Sequence, residues 1–307
     1  MSWTLCNEPA SQGARASAAL ETVVVPRARD LGGFEVRRVL PAAEKRMIGP
    51  FIFWDEMGPA QFAVGKGIDV RPHPHIGLAT VTYLLRGEIM HRDSLGSVEA
   101  IRPGEMNLMT AGSGIVHSER TDLARRAGPH ELSGIQAWVA LPRAYEEQAA
   151  SFQHFGSSEL PLLSERGVEL RLIAGEMHGV TSPVRTPMGM IYADLTLAPG
   201  ATLHFDARYA ERAIYTVEGE IDLGGERFGP GRMLVLRPGQ PVTLTGAGAG
   251  AARCMLLGGE PADGPRHIWW NFVSSSQDRI EQAKADWLAG RFTGVPGETE
   301  FIPLPES

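Results

Sequence analysis

Apolar residues alternate with polar ones in short segments along most of the chain, and glycine or proline stands between these segments. Because successive side chains of an extended strand point to opposite faces, this period of two predicts β-strands joined by tight turns. In the first half the predicted strands cover residues 23–26, 33–40, 49–58, 79–85, 88–93, 97–101, 105–109, 115–119 and 135–141. In the second half they cover residues 170–173, 191–197, 213–217, 233–236 and 242–244. The pattern predicts an all-β protein.

Two segments depart from the strand pattern and predict helix. A short helix is expected at residues 145–150. Near the C-terminus, apolar side chains recur at helical spacing, namely Ile280, Ala283, Trp287 and Leu288. Ser275 offers a helix N-cap and Gly290 an end to the helix. One amphipathic helix is therefore expected after the last strand.

The two halves of the chain resemble each other in their turns. Tyr83 and Gly87 recur as Tyr215 and Gly219 at an offset of 132, and a Pro-Gly turn at residues 103–104 recurs at residues 230–231. Repeated turn residues indicate repeated hairpins. We therefore expect a duplication, with a tail at residues 1–22, a first domain at 23–145, a linker at 146–168 and a second domain at 169–307.

Composition and charge narrow the class of protein. Of 307 residues, 43% are hydrophobic, and 36 glycines and 22 prolines agree with a turn-rich β-protein that has a large core. A net charge of -7 argues against a nucleic-acid-binding surface, which is normally basic.

Cysteine content and the N-terminal segment indicate where the protein resides. Cys6 and Cys254 are the only cysteines, so a disulfide framework is not expected. The N-terminus lacks the basic and apolar regions of a signal peptide. No apolar stretch approaches the roughly 20 residues that span a bilayer. We expect a cytoplasmic protein without membrane attachment.

The candidate chemistry lies in two pairs of polar residues. His73 and His75 are two positions apart, and so are His117 and Glu119. On strands, residues at i and i+2 point the same way, so each pair aims two ligands at one side of a sheet. Three imidazoles and one carboxylate suit a first-row divalent metal, and Fe(II), Mn, Ni, Cu and Zn are all admissible.

The second half of the chain has lost these ligands. The positions equivalent to His73 and His75 are Phe205 and Ala207, and those equivalent to His117 and Glu119 are Leu244 and Gly246. The repeated scaffold therefore does not need metal ligands in order to fold. The sequence predicts one metal per chain, in the first domain, with a functional rather than a structural role.

Four stretches of the chain resemble the pirin family: residues 73–84, 91–96, 109–119 and 268–272. The resemblance covers residues 25–290 and implies two cupin barrels, of the double-stranded β-helix or jelly-roll type. It also implies a single metal, usually iron, whose ligands fall on His73, His75, His117 and Glu119. Several bacterial relatives act as quercetin 2,3-dioxygenases, and eukaryotic relatives are described as iron-dependent transcriptional cofactors.

A flavonol-cleaving reaction is the activity that the resemblance implies. Four protein ligands leave two positions of an octahedral metal open, for a flavonol bound through its 3-hydroxyl and 4-carbonyl and for O2. Ring cleavage would then release carbon monoxide. Glu119 is the candidate proton acceptor for the 3-hydroxyl.

Further residues are expected near this metal. His91 and Asp93 alternate on a predicted strand and are candidates for supporting a ligand or contacting substrate. Phe53 and Met109 are candidates for lining an aromatic-substrate pocket. In one departure from the family, Ala79 and Thr80 stand where many relatives carry a glutamate. An acidic residue that could support the metal ligands is therefore not expected at this place.

Two other classes of function stay open. The first is a redox-sensing interaction protein, with a protein partner and a transcriptional role, in which the iron state changes a binding surface. A metal without an open coordination position would favour it. The second is another cupin enzyme, an isomerase or hydrolase, which native zinc would favour.

Overall fold

The structure, a computed structural model, describes residues 16–30 and 34–305. Strands predominate in this part of the chain, as the alternating pattern predicted. The strands of the first half are β1 (Leu20–Val24), β2 (Arg27–Asp30), β3 (Glu35–Leu40), β4 (Phe51–Phe62), β5 (Asp69–His75), β6 (Leu78–Arg86), β7 (Ile89–Asp93), β8 (Val98–Ile101), β9 (Met106–Thr110), β10 (Ile115–Arg120), β11 (His130–Ala140) and β12 (Ser151–Phe155).

The later strands are β13 (Leu162–Glu165), β14 (Val168–Ala174), β15 (Glu176–Met177), β16 (Val180–Thr181), β17 (Met190–Leu197), β18 (Thr202–Phe205), β19 (Glu211–Glu218), β20 (Ile221–Leu223), β21 (Glu226–Phe228), β22 (Arg232–Leu236), β23 (Val242–Gly246), β24 (Ala252–Gly259), β25 (His267–Trp269) and β26 (Phe272–Ser274). The helices are α1 (Ala16–Ala19), α2 (Leu123–Arg126) and α3 (Gln277–Leu288), with one 3-10 turn at Arg143–Tyr145. None of the helices in the described ranges has the length and apolar character needed to cross a membrane.

The chain divides into two compact units. The first barrel unit comprises residues 28–38, 52–157 and 262 onward, and the second barrel unit comprises residues up to 27, 39–51 and 158–261. Each unit contains one seven-stranded and one four-stranded antiparallel sheet. Two barrel units built of β-sheets agree with the predicted pair of cupin domains.

The sheets of the first barrel unit have the strand orders β12-β9-β6-β11-β4-β3-β2 and β5-β10-β7-β8. Side chains of the smaller sheet contact side chains of the larger one. His75 of β5 lies against Trp138 of β11, and His91 of β7 stacks on Phe152 of β12. The inner face of the four-stranded sheet is therefore directed at the barrel interior.

The second barrel unit repeats this topology strand by strand. Its sheets have the orders β1-β22-β19-β24-β17-β14-β13 and β18-β23-β20-β21. From β9 and β22 onward, each strand of one large sheet has a counterpart at the same place in the other. This shared order supports the duplication inferred from the turns.

The interior of the second barrel unit is apolar where the first carries histidines. In β18 and β23, Leu203 pairs with Leu244 and Phe205 pairs with Val242. All four side chains are buried in one hydrophobic cluster. The register differs by two residues from the sequence alignment, which placed Phe205 and Leu244 at equivalent depth. Whichever pair corresponds to His73 and His117, the position holds an apolar residue.

The two terminal segments belong to units other than those predicted from the sequence. Strand β1, partly within the predicted tail at residues 1–22, pairs with β22 of the second barrel unit. The C-terminal segment, which we expected in the second domain at residues 169–307, belongs to the first barrel unit. There Phe272 forms a parallel bridge to Ile76, and Ile280 of α3 packs into the same cluster. Residues 1–15 and Gly33, which predictions also covered, lie outside the described ranges.

The region expected to be a linker, residues 146–168, contains strands. Strand β12 pairs with β9, and β13 pairs with β14. Both are edge strands with partly exposed side chains, so they lack the clean apolar alternation of buried strands. The short helix expected at residues 145–150 is replaced by the 3-10 turn at Arg143–Tyr145.

The C-terminal helix was predicted correctly, but its N-cap is Ser276 rather than Ser275. The Ser276 hydroxyl accepts from the Arg279 backbone N–H. The Ser275 hydroxyl instead donates to Glu146 Oε2 at 2.8 Å. Ile280 and Ala283 are buried, whereas Leu288 is 75% exposed and so lies outside the buried stripe.

Candidate metal centre

The register of the four-stranded sheet gathers polar residues around β10. His117 lies opposite His73 of β5 on one side and opposite Asp93 of β7 on the other. Glu119 lies opposite His91. Directly opposite residues of antiparallel strands project from the same face, so these five side chains share the inner face of the sheet.

Strand β5 is well suited to carry two ligands at the edge of this sheet. Pro72 and Pro74 alternate with His73 and His75 and so project from the outer face. Proline is tolerated because β5 is an edge strand, where backbone N–H groups need no partner on one side. Gly77 follows with a φ of +66°, and a Cβ there would lie 1.9 Å from the Val273 carbonyl oxygen. Only glycine fits that turn.

Three of the predicted ligands converge. One ligand atom from each of His73, His75 and His117 lies within 4.8 Å of the other two. The Nε2 atoms of His75 and His117 are 3.1 Å apart, and all three side chains are buried. The sequence-based prediction of a histidine cluster is thus matched by the geometry.

The protonation of the histidines fits a metal. Burial lowers the pKa of His73 to about 4. Burial, together with the charge of His73, lowers the pKa of both His75 and His117 well below the usual value. Neutral imidazoles are the form that binds metal. With metal–nitrogen bonds of about 2.1 Å, two ligands at a right angle stand about 3.0 Å apart, close to the His75–His117 separation.

The tautomer of His73 is set by the backbone. Its Nδ1 lies 2.9 Å from the carbonyl oxygen of Arg71. Because a carbonyl can only accept, Nδ1 must carry the proton, and Nε2 is left with a lone pair. The backbone of β5 therefore presents His73 through Nε2, a nitrogen that can bind a metal.

Glu119 shares the face with the histidines but is not in the group of atoms within 4.8 Å. Its Oε1 accepts from the Thr82 hydroxyl at 3.4 Å, and that hydroxyl also lies 2.8 Å from Gln136 Oε1. Burial raises the pKa of Glu119, so its carboxyl holds a proton more readily than an exposed glutamate. Glu119 as a fourth ligand stays a prediction.

His91 and Asp93 lie beside the histidine cluster, and both side chains are buried. His91 Nε2 is 3.1 Å from Asp93 Oδ2, and His91 Nδ1 is 3.4 Å from His117 Nδ1. Although burial alone raises the pKa of Asp93, hydrogen bonds from His91 and Ser97 bring it below its ordinary value. Asp93 is fully buried and binds the hairpin turn at Leu95 and Ser97, and substrate contact by His91 or Asp93 stays a prediction.

The structure shows the neighbours of the two candidate pocket residues, Met109 and Phe53, and pocket lining by either one stays a prediction. Met109 is 1% exposed and belongs to an apolar cluster with Ala111 and Ile115. Phe53 stacks on Trp138 with ring centroids 4.0 Å apart. Trp138 in turn meets the His75 ring edge-on, with ring centroids 5.4 Å apart.

Sequence reasoning did not single out Trp138 and Phe152, which flank the histidines from the larger sheet. Phe152 stacks on His91 with centroids 4.5 Å apart. The alternation of β11 with Gln136 at i and Trp138 at i+2 was the available signal for Trp138. Phe152 lies in the region expected to be a linker, where no strand pattern pointed to it.

The departure at Ala79 and Thr80 concerns two opposite faces of β6. Thr82 faces Glu119, so Thr80 shares the inner face, while Ala79 points away. Ala79 pairs with Val139 and Thr110 on the outer side of that alternation. A glutamate at residue 79 would point away from the histidines, whereas one at residue 80 would share their face.

Family models match both halves of the chain. One, described as Pirin, covers residues 33–139, and a second, described as Pirin C-terminal cupin domain, covers residues 192–293. A "Pirin-like protein" of Caulobacter vibrioides is 51% identical over 94% of this chain and 100% of its own length. A Pseudomonas aeruginosa protein named "Putative quercetin 2,3-dioxygenase" is 39% identical over 87% of this chain and 83% of its own length.

A solved structure agrees with both the fold and the sequence similarity. The crystal structure of a quercetin 2,3-dioxygenase from Acinetobacter baumannii superposes with a TM-score of 0.87. The two proteins are 32% identical, and the match covers 95% of this chain and 97% of that one.

Proposed function

This chain belongs to the pirin family, and from that membership and its histidine cluster we propose that it is a metal-dependent dioxygenase. The proposed metal is a single iron(II) per chain, and the proposed substrates are a flavonol-type aromatic molecule and O2. The observation that carries the proposal is the convergence of His73, His75 and His117 within one buried group.

The histidines and Glu119 would hold the metal through three imidazole nitrogens and a carboxylate on one sheet face. A divalent metal bound there would supply Lewis acidity, which lowers the pKa of a coordinated hydroxyl and fixes the two reactants side by side. The similarity to proteins named as quercetin 2,3-dioxygenases supports a flavonol as the molecule that brings the hydroxyl.

Glu119 is the proposed proton acceptor. Its raised pKa favours uptake of a proton from a substrate hydroxyl, and the Thr82 hydroxyl holds one carboxylate oxygen in place. The second oxygen has the freedom to bind the metal or to take the proton. From the larger sheet, Trp138 contacts His75 and Phe152 contacts His91, where both rings would help to exclude water from the site.

The proposal is tested by O2 uptake and carbon monoxide release with iron(II)-loaded protein. Quercetin should be consumed, whereas a flavone without the 3-hydroxyl should be inert because it cannot chelate through adjacent oxygens. Glu119→Gln should keep part of the metal, since an amide oxygen still coordinates, and should lose turnover by about 100-fold or more, the scale of general base catalysis.

Free iron(II) without protein, and protein loaded with Mn, Ni or Cu, are the controls. If no preparation exceeds the free-metal rate, the dioxygenase proposal fails and a redox-sensing interaction protein becomes the better explanation. If Glu119→Gln retains full turnover, the dioxygenase stands and Glu119 loses its role as proton acceptor.

A further inference from the structure

We propose that Asp93 and His91 are positioning residues that hold His117 in the one tautomer able to bind a metal through Nε2. The inference rests on the proposed metal centre and adds to it a hydrogen-bonded line from a buried carboxylate to a ligand. The line runs from Asp93 through His91 to His117 and lies entirely within the first barrel unit.

The line begins at a carboxylate whose two oxygens both accept hydrogen bonds. Asp93 Oδ1 accepts backbone N–H bonds from Leu95 at 2.9 Å and from Ser97 at 3.0 Å. Its Oδ2 lies 3.1 Å from His91 Nε2. Because an ionised carboxylate can only accept hydrogen bonds, Nε2 of His91 must be the nitrogen that carries the proton.

The proton on His91 in turn determines which nitrogen of His117 is protonated. In a neutral His91 ring with its proton on Nε2, Nδ1 has a lone pair and acts as an acceptor. The nearest partner of that nitrogen is His117 Nδ1 at 3.4 Å, which must therefore donate. His117 Nε2 is left unprotonated, 3.1 Å from His75 Nε2, on the side where the three histidines meet.

The geometry of the strands keeps this line in place. Asp93 is directly opposite His117, and His91 is directly opposite Glu119, in the β7–β10 register. Phe152 stacks on the His91 ring and holds its orientation, and the two ring planes are inclined by only 14°. His73 needs no such support because the Arg71 carbonyl sets its tautomer through the backbone. His117 is thus a ligand whose tautomer depends on side chains that can be changed.

The substitution D93N should reverse the direction of both hydrogen bonds in the line with almost no change of side-chain shape. The Leu95 and Ser97 N–H groups require an oxygen at the Oδ1 position, so the amide nitrogen would occupy the Oδ2 position and donate to His91 Nε2. His91 would then donate from Nδ1, and His117 would carry its proton on Nε2, where it blocks the metal. We expect Ni(II) affinity to fall by about 10- to 100-fold, the range known for residues that support ligands.

Two measurements test this expectation, one with and one without metal. Ni(II) affinity is measured by competition with a chelator, and the ring proton of His117 is located in metal-free protein by nitrogen-15 NMR. Wild type should show the proton on Nδ1, and D93N should show it on Nε2. The control is D122N, because Asp122 also accepts a backbone N–H, from Ala124 at 2.9 Å, as the N-cap of α2. It should change neither reading.

A double-mutant cycle separates the line from a general loss of packing. H91F keeps an aromatic ring against Phe152 but breaks the connection, so adding D93N to H91F should weaken Ni(II) no further. Additive losses would overturn the proposal, and so would wild-type affinity in D93N or a wild-type His117 protonated on Nε2. If wild type binds no Ni(II) while the NMR result is as expected, the metal centre fails and the line stands.

Discussion

At the scale of single residues, the first barrel unit owes its chemistry to buried histidines that stay neutral. Burial is the first cause of the lowered pKa of His73, His75 and His117. A buried imidazole without a metal leaves a lone pair with no partner, which is tolerated when that nitrogen has a ligand to bind. We therefore expect these polar groups to serve the binding of a ligand rather than the stability of the fold.

His75→Ala tests this interpretation. The change removes one nitrogen of the cluster, so metal affinity should fall by more than the roughly 10- to 100-fold that supporting residues contribute. The circular dichroism of the β-sheets should persist, because the second barrel unit folds with apolar residues at the equivalent strands. The free energy of unfolding of metal-free protein should change by about 0.5–3 kcal/mol, as for most buried substitutions.

The matched control is His154→Ala on β12. His154 lies 2.7 Å from Asn107 Oδ1 and is outside the histidine cluster. Its loss should leave metal affinity unchanged, as measured by chelator competition. Equal metal binding in wild type and His75→Ala would remove His75 from the site, and loss of the β-signature would make the residue structural.

At the scale of elements, the strand that carries His73 and His75 depends on a segment far away in sequence. Ile76, directly after the histidines, packs with Phe272, Ile280 and Ala283. The segment before α3 is held by Glu146, which accepts from the Ser275 N–H at 2.9 Å and pairs with Arg266 at 2.8 Å. The C-terminal segment is thus tied to the first barrel unit by a buried ion pair and by an apolar cluster.

Glu146→Gln should loosen this attachment. The Arg266 side chain is 1% exposed, and the substitution leaves its charge with one carboxylate partner, Asp263, instead of two. We expect the free energy of unfolding to fall by about 1–3 kcal/mol, less than the loss of a sole buried partner would cost, because Asp263 stays paired with Arg266. Amide exchange should accelerate first in β26 and α3, because these elements are fastened through Ser275.

The neighbouring Glu147→Gln is the control. Glu147 pairs with Arg279 at 2.8 Å, but its side chain is 58% exposed. An exposed pair contributes about 0–1 kcal/mol, so both urea unfolding and amide exchange should stay close to wild type. Equal effects of the two substitutions would mean that Glu146 does not anchor the C-terminal segment.

At the scale of the whole molecule, one topology is used with two kinds of interior. Both units have the same strand order in their large and small sheets. The first has histidines on the inner face of its small sheet, and the second has Leu203, Phe205 and Leu244 in an apolar cluster. The same strand order thus supports an interior with a candidate metal-binding group in one unit and a wholly apolar cluster at the matching strands of the other.

This division predicts one tightly bound metal per chain. Among the described residues, the one candidate metal-binding group is His73, His75 and His117 of the first barrel unit. Elemental analysis of untagged protein should therefore give a metal-to-chain ratio of about one, and of nearly zero in a His75→Ala/His117→Ala double variant. A ratio near two, or metal retained by the double variant, would require a second site and would contradict the prediction.

The sequence by itself determined the all-β class, many of the strands, the duplication and the spacing of the histidine pairs. Alternation of polar and apolar residues is a local property, so it identified β6, β7 and β10 and placed His73 with His75, and His117 with Glu119, on common faces. Comparison of the two halves then showed which positions the scaffold leaves free to be apolar, and from this we predicted that the histidines are functional rather than structural.

Only the tertiary structure decided which segments complete each unit and how the polar residues of the site connect. Edge strands such as β1 and β12 show a weak alternation of apolar and polar residues, because one edge of each strand faces water. Their partners, β22 and β9, are selected by contacts between residues far apart in sequence. The same holds for the line from Asp93 to His117. Its members are local in β7, but the register with β10 brings them together, and cross-strand register is set by long-range packing that no local period encodes.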